Sequence, residues 1–365
     1  MSKVTQVTGV NRWANIRRAT TNGAMRRQNR GVRAMAKESR GPAELVRAAA
    51  VARRHYLEGQ SKTEIAADLG ISRFKVARLL DLAHERGMVH IEIVADGEID
   101  LDRSARLQEA FGLRHAVVID GTGLDFHTLS EHLGEAAAAL LAEILEEGDV
   151  LGLPWARSID IMTHALGQLP RVDVVQLSGA MEIPGVDSSA VDIVRRAARL
   201  TGGSSSIFHA PLLLDDVVAA QTLRRDGAVL RGLAEASRVT TAVVGIGSWS
   251  AGLSTVYDAA TPDDREQARA AGVVGEIAGR CFDAHGHLVE PPLAERIVTI
   301  GADELRGIPE VIGLVSGRPK ACAVGAALRG GLVNALVVDT VHADALFEDV
   351  ASATRLLDAQ GAAAG

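Results

Sequence analysis

A chain of 365 residues with 47% hydrophobic content is long enough for two domains, and with 3% aromatic residues its core must be filled by Ala, Val, Leu and Ile. The net charge of −7 is unevenly spread: residues 1–95 carry 18 Lys and Arg against 8 Asp and Glu, a net of +10, and residues 96–365 carry 21 against 38, a net of −17. No apolar run is long enough to span a membrane, the amino terminus has no signal-type apolar core, and Cys281 and Cys322 give neither a disulfide framework nor a zinc spacing. A cytoplasmic protein without membrane partner, metal or cofactor is expected.

Residues 1–42 are rich in Arg, Asn, Gly and Thr without a period, the composition of a basic, disordered extension. Three readings stay open for it: an arm on phosphates, a solvated tail, or an extension upstream of a start at Met35.

Residues 43–95 read as a helix–turn–helix unit. A first helix over 44–57 places Leu45, Ala48, Ala49, Ala52 and Tyr56 inward. Ser61 N-caps the next helix, with Glu64 three residues on closing a capping box, and Ile65, Ala66 and Leu69 form its apolar face. Gly70 supplies a left-handed turn and Ile71 plugs the angle between the helices. Ser72 caps a further helix whose Val76, Leu79, Leu80 and Ala83 face inward, and Gly87 ends it. Arg73, Lys75 and Arg78 are left outside, where an Arg can read guanine in the major groove. Ser61, Lys62, Thr63 and Ser72 fall where such a motif meets phosphates. Residues 89–93 alternate as a wing-like strand. A basic unit on an acidic body suits a reader of polyanions.

Residues 96–113 form a polar connector and an amphipathic helix over 101–111, which packs either on a partner copy or on its own chain. From 114 to 365 short apolar runs alternate with helical stretches: runs at 116–119, 149–153, 172–177, 205–208, 241–246, 296–300, 311–315 and 335–339, helices at 127–146, 157–166, 189–200, 262–271, 319–328 and 343–357. The pattern predicts an α/β domain with a mainly parallel sheet covered on both faces, interrupted by a small β insertion over 275–292.

In such folds ligands sit beyond the carboxyl ends of the strands. That rule selects Trp155-Ala156-Arg157-Ser158, which follows a strand and opens a helix able to hold an anion. It also selects Ser178-Gly179-Ala180, His209-Ala210-Pro211, Gly245-Ile246-Gly247-Ser248 and Ser316-Gly317-Arg318-Pro319-Lys320, the last with two cations at a helix start. Together they predict a pocket for a small anionic molecule. There is no P-loop and no GxSxG elbow, and Gly245-Ile246-Gly247 lacks the third glycine of a dinucleotide fingerprint. His285 and His287 have no third metal ligand in view. Glu276 and Asp283 are an acid–base pair, contacts for ligand hydroxyls or plain surface residues.

The ordered motifs RRHYLEGQSKTEIAADLGISRFKVARLL, GLPWARS, VVQLSGA, IFHAPL, VGIGSW, GEIAGRCFDAHG, VSGRPK and AALRGGLVNALVVDT resemble the SorC family of sugar-sensing bacterial transcriptional regulators over residues 44–357. The resemblance implies a helix–turn–helix joined to an effector domain similar in fold to sugar-phosphate isomerases and deaminases. It implies operator DNA and a sugar or sugar phosphate as ligands, and a homo-oligomer, dimer or tetramer. It puts phosphate on the loop from Trp155 through Ala156 and Arg157 to Ser158 and on Lys320, and sugar contacts near Gln176, Ser178, Gly179, Gly247 and Asp283. The chain departs from the family pattern at Ala156 and Ser158 (usually Gly and Thr), at Ala180 (a Gly), at Val338-Asp339-Thr340 (Thr-Asp-Glu) and at Lys62 (a Gln). The alternative from another class is an isomerase or deaminase carrying a helical module, and a further one is a scaffold whose helical head binds protein.

Overall fold

The computed structural model describes residues 41–89, 98–181 and 188–349. The chain divides into two compact units, Met1–Val94 and Ala95–Gly365.

The described part of the first unit holds three helices, α1 (Pro42–Tyr56), α2 (Lys62–Asp68) and α3 (Arg73–Glu85). Ser61 and Glu64 form the expected capping box, Ser72 accepts the Lys75 N–H, and Gly70 and Gly87 are left-handed at φ 62° and 65°. Ala48, Val51 and Ala52 of α1, Ile65 and Ala66 of α2, and Val76, Leu79, Leu80, Leu82 and Ala83 of α3 make one core, with Ile71 packed on it. Three inward assignments differ. Ala49, Leu69 and Tyr56 are exposed, and the Tyr56 hydroxyl lies 2.7 Å from His84 Nε2. Val51 and Leu82 take the inward places instead. Most of the expected wing strand and the extension up to residue 40 lie outside the described residues.

The second unit opens with α4 (Leu101–Phe111), N-capped by Asp100 and ended by left-handed Gly112. It packs on its own chain: Leu107 is buried in the main core, Arg103 donates to both carboxylate oxygens of Asp344, and the Arg106 guanidinium lies 4.5 Å over the Phe347 ring. Ten strands follow in chain order. They are β1 (His115–Ile119), β2 (Val150–Leu153), β3 (Asp173–Gln176), β4 (Ser205–Ser206), β5 (Thr241–Val244), β6 (Ile246–Ser248), β7 (Gly275–Ile277), β8 (Arg280–Phe282), β9 (Glu310–Leu314) and β10 (Ala335–Asp339). Seven form one sheet in the order β1-β10-β9-β5-β2-β3-β4, and every pairing in it is parallel. The remaining helices are α5 (Phe126–Ile144), α6 (Arg157–Ala165), α7 (Ala190–Thr201), α8 (Val217–Arg225), α9 (Gly227–Ala234), α10 (Thr255–Ala259), α11 (Pro262–Ala270), α12 (Ala302–Gly307) and α13 (Ala321–Arg329), with a further helix over 340–349.

The sheet divides the core in two. Leu141, Leu153, Ile159, Met162 and Ile193 lie in one cluster, and Leu107, Val244, Phe282, Val324 and Leu336 in the other. Strands buried on both faces explain why the apolar runs were continuous rather than alternating. The expected insertion is an antiparallel sheet of β6, β7 and β8. Its β7–β8 turn is the two residues Ala278 and Gly279, both left-handed at φ 51° and 81°, which is the backbone of a tight hairpin. The run 296–300 is not a strand. Its backbone pairs with crossing loops, Gly179 N–H to the Val298 carbonyl and Ile300 N–H to the Leu177 carbonyl, instead of a ladder. The run 241–246 breaks after Val244, and β6 leaves for the small sheet.

Candidate functional site

From β2 the chain steps outward through β3 and β4, while β5, β9 and β10 lie on the other side. The strand order therefore reverses between β2 and β5, and a crevice opens beyond their carboxyl ends. A cavity of about 420 Å³ occupies that place. The segments following three adjacent strands wall it: Pro154–Ser158 after β2, Gly245–Gly247 after β5, and Val315–Lys320 after β9, with only Arg318 of that last segment set back. Glu276, Ala278 and Gly279 of the small sheet and Ser254 complete the wall, and Phe126 and Ser130 of α5 stand at its rim.

Each segment is shaped by what holds it. Trp155 is buried; its backbone N–H donates to Ser178 Oγ at 3.0 Å and its indole N–H to the Ser188 carbonyl at 3.0 Å. Those two bonds fix the entrance to α6. Ala156, at φ −160° and ψ 150°, takes the N-cap position and offers no side-chain cap, so the first N–H groups of α6 are unclaimed by side chains and the helix dipole adds positive potential there. The 3-10 turn Arg318–Lys320 likewise begins without a side-chain cap. A Cβ built on Gly245 would lie 3.2 Å from the Ala156 Cβ and 3.4 Å from Ser158 Oγ, which shows how closely the β2 and β5 loops converge.

The charged groups at the cavity are Arg157, Lys320 and Glu276, with Asp258 further along the wall. Glu276 is the buried one: Ser254 Oγ donates to its Oε1 at 3.1 Å and the Gly279 N–H to its Oε2 at 3.0 Å. Burial pushes its carboxyl above the ordinary range, and Lys320 pulls partly the other way. Burial likewise lowers the Lys320 ammonium, with Glu276 opposing and Arg157 adding to the shift. The cavity thus gathers two cations, backbone N–H groups unclaimed by side chains and a desolvated carboxyl group. Such an arrangement binds a molecule that carries an anionic group and hydroxyls. Gly247 is small because Glu276 lies over it; a Cβ there would be 2.2 Å from Glu276 Oε1.

The lysine loop is held from behind. Asp339, at the end of β10, accepts the Gly317 N–H on Oδ2 at 2.6 Å and the His342 N–H on Oδ1 at 2.9 Å, and His342 Nδ1 lies 2.9 Å from the Gly317 carbonyl.

The structure brings Trp155, Ala156, Arg157, Ser158, Gly247 and Lys320 to the cavity. It does not bring Gln176, Ser178, Gly179 or Asp283 there. Gln176 is fully buried and bridges two backbones, its Nε2 donating to the Ser178 carbonyl and its Oε1 accepting the Phe208 N–H. Ser178 serves Trp155, and Gly179 presses on the backbone of Pro211 and Leu212, where a Cβ would lie 2.5 Å from an oxygen. Asp283 Oδ1 accepts the N–H groups of His285 and His287 in its own loop. Among the described residues no cluster of His, Cys, Asp and Glu is placed to hold a metal ion. The strand rule did not reach Ser254; its signal is weak, a Ser before a five-residue helix. In the first unit Ser61, Lys62, Thr63, Ser72, Arg73 and Arg78 are exposed, whereas Lys75 is partly covered and lies 3.7 Å from Glu44.

The family model described as "Putative sugar-binding domain" matches residues 97–348. The transcriptional regulator LsrR of Klebsiella pneumoniae is 31% identical over 299 residues, 80% of this chain and 90% of that protein. The sorbitol operon regulator of Klebsiella pneumoniae is 28% identical over 309 residues, 82% and 96% of the two chains. The crystal structure of full-length SorC from Klebsiella pneumoniae superposes with a TM-score of 0.63 at 25% identity, covering 83% of this chain and 99% of that one. Among the described residues no helix is long and apolar enough to cross a membrane.

Proposed function

Since the chain belongs to the SorC family of sugar-binding transcriptional regulators, we propose that its cavity takes a sugar or phosphorylated sugar and that α1–α3 binds operator DNA, the first event controlling the second. The observation that carries the effector assignment is the single cavity lined by the uncapped start of α6, by Lys320 and by the buried Glu276. A phosphate or other anionic group sits against Ser158, Arg157 and Lys320, and Glu276 accepts hydrogen bonds from sugar hydroxyls. In the head, Arg73 and Arg78 meet base edges while Ser61, Lys62, Thr63 and Ser72 meet phosphates; Lys75 reaches DNA by leaving Glu44, an exchange of about 1 kcal/mol for a half-covered pair. The protein acts in the cytoplasm as a homo-oligomer, which sets two heads about 34–36 Å apart on one face of the DNA. The sugar shifts operator binding by favouring one of two states.

The test is fluorescence anisotropy of the purified chain on DNA from its own upstream region, over a salt series and against a panel of sugars and sugar phosphates. Tight, salt-steep binding shifted by one compound supports the reading. Equal binding to random DNA, with no compound altering it, refutes it.

A further inference from the structure

Phe74 is the most exposed of the large hydrophobic side chains among the described residues, 85% accessible. The described residues leave it uncovered. The core of the first unit is complete without it, and α3 spends its other large apolar residues, Val76, Leu79, Leu80 and Leu82, inside. It is the second residue of α3, directly after Arg73 and one helical turn before Arg78, and both arginines are also exposed. Residues four apart stack on one face of a helix. The outer surface at the start of α3 therefore carries Phe74 on the face of Arg78, with the exposed Arg73 on the adjoining face.

That composition matches one kind of surface. Residues at the start of a recognition helix approach base edges in the major groove. There guanine offers two acceptors to an arginine, and thymine offers a methyl group to an apolar side chain. Resting on the reading of α1–α3 as the DNA-binding unit, we propose that Phe74 packs against the 5-methyl group of a thymine in the operator and so sets base preference beside the contact made by Arg78. A phenyl ring gains nothing from phosphates, so its contribution is to sequence choice and not to salt-dependent affinity.

The experiment uses the full chain. Operator sequences are selected from randomised DNA with the wild type, and the thymines of the selected site are then replaced one at a time by deoxyuracil, which removes only the methyl group. The wild type is expected to lose about fourfold in affinity at one thymine per half-site, the effect of failing to bury one methyl. Phe74→Ala is expected to bind the parent site several-fold more weakly, to bind thymine and deoxyuracil versions equally, and to keep the wild-type salt slope. Phe74→Leu is expected to restore part of the discrimination. Its exposure makes the side chain dispensable for folding, and circular dichroism of both variants checks this. If Phe74→Ala retains the discrimination of the wild type, or changes the salt slope instead, the assignment of Phe74 is overturned while the DNA-binding reading stands. If the wild type enriches no sequence at all, the reading of the head falls and takes Phe74 with it.

Discussion

The two working regions of this chain use charge in opposite ways. The head carries Arg73 and Arg78 on an exposed face backed by a core of small and branched residues. The pocket carries a buried Glu276, held by Ser254 Oγ and the Gly279 N–H, and a partly buried Lys320 on a loop that Asp339 holds from behind. Exposed cations act at a distance and are screened by salt. Buried groups act only on what touches them, and the fold must be built around them. The head is therefore the region that tolerates substitution, and the pocket is the one where function and folding are coupled.

Four experiments break or sharpen that contrast. The largest effect belongs to backbone packing in the second unit. A Cβ on Gly203 would lie 1.8 Å from the Val172 carbonyl oxygen. Gly203→Ala should cost about 3 kcal/mol by urea denaturation. An unchanged midpoint would show that this junction yields easily. Next comes Lys320→Ala. Losing a charge-assisted contact should weaken the response to the effector about 10- to 100-fold while leaving DNA binding of the ligand-free chain intact. A normal dose–response curve would place the anionic group elsewhere. Third, Arg78→Ala should weaken operator binding by about 1–3 kcal/mol at one base position if it reads a base, or reduce the salt slope by about one unit if it meets a phosphate. Its melting should stay that of the parent, and operator affinity equal to the parent's would remove Arg78 from the groove.

The smallest effect is a pH slope. Burial raises Glu276 above 4.5 and lowers Lys320 below 10.5. Between 4.5 and its raised folded value, Glu276 keeps a proton that the unfolded chain has released, so stability falls as pH rises through that window. For Lys320 the unfolded chain holds the extra proton, and stability rises as pH climbs from the lowered folded value toward 10.5. Glu276→Gln should flatten the acid-side slope in denaturation series across pH and, by removing the charge that opposes the lowering of Lys320, strengthen the basic-side one. A slope unchanged in that variant would assign it to another group.

The contrast also explains what the sequence revealed. Helix caps are local: Ser61 with Glu64 and Ser72 with the Lys75 N–H act within one turn, so the head could be read almost residue by residue. Its misreadings, Ala49, Leu69 and Tyr56 taken as inward, arose where a helix periodicity admits either of two adjacent faces. The parallel α/β class followed from alternation of runs and helices, and the five loops picked by the strand-end rule include the three that wall the cavity, but the order of strands in the sheet was not legible. Nor were the roles of Gln176 and Ser178, because their partners Phe208 and Trp155 are 32 and 23 residues away in sequence. A polar residue at the end of a strand covered on both faces gives no sign of whether it serves a ligand or the backbone. The helices α8 and α9 were missed because they bury little: Ala220 in one, Val229 and Gly232 in the other.

Asp339 has a mechanical meaning beyond its hydrogen bonds. One of its oxygens grips the loop that carries Lys320, and the other grips the first turn of the helix over 340–349, whose Asp344 clasps Arg103 of α4. A single carboxylate is thus the rivet of a two-armed lever. One arm ends at the cavity, and the other at the first helix after the junction with the head. Whatever displaces the lysine loop loads the same carboxylate that holds the first turn of the helix over 340–349.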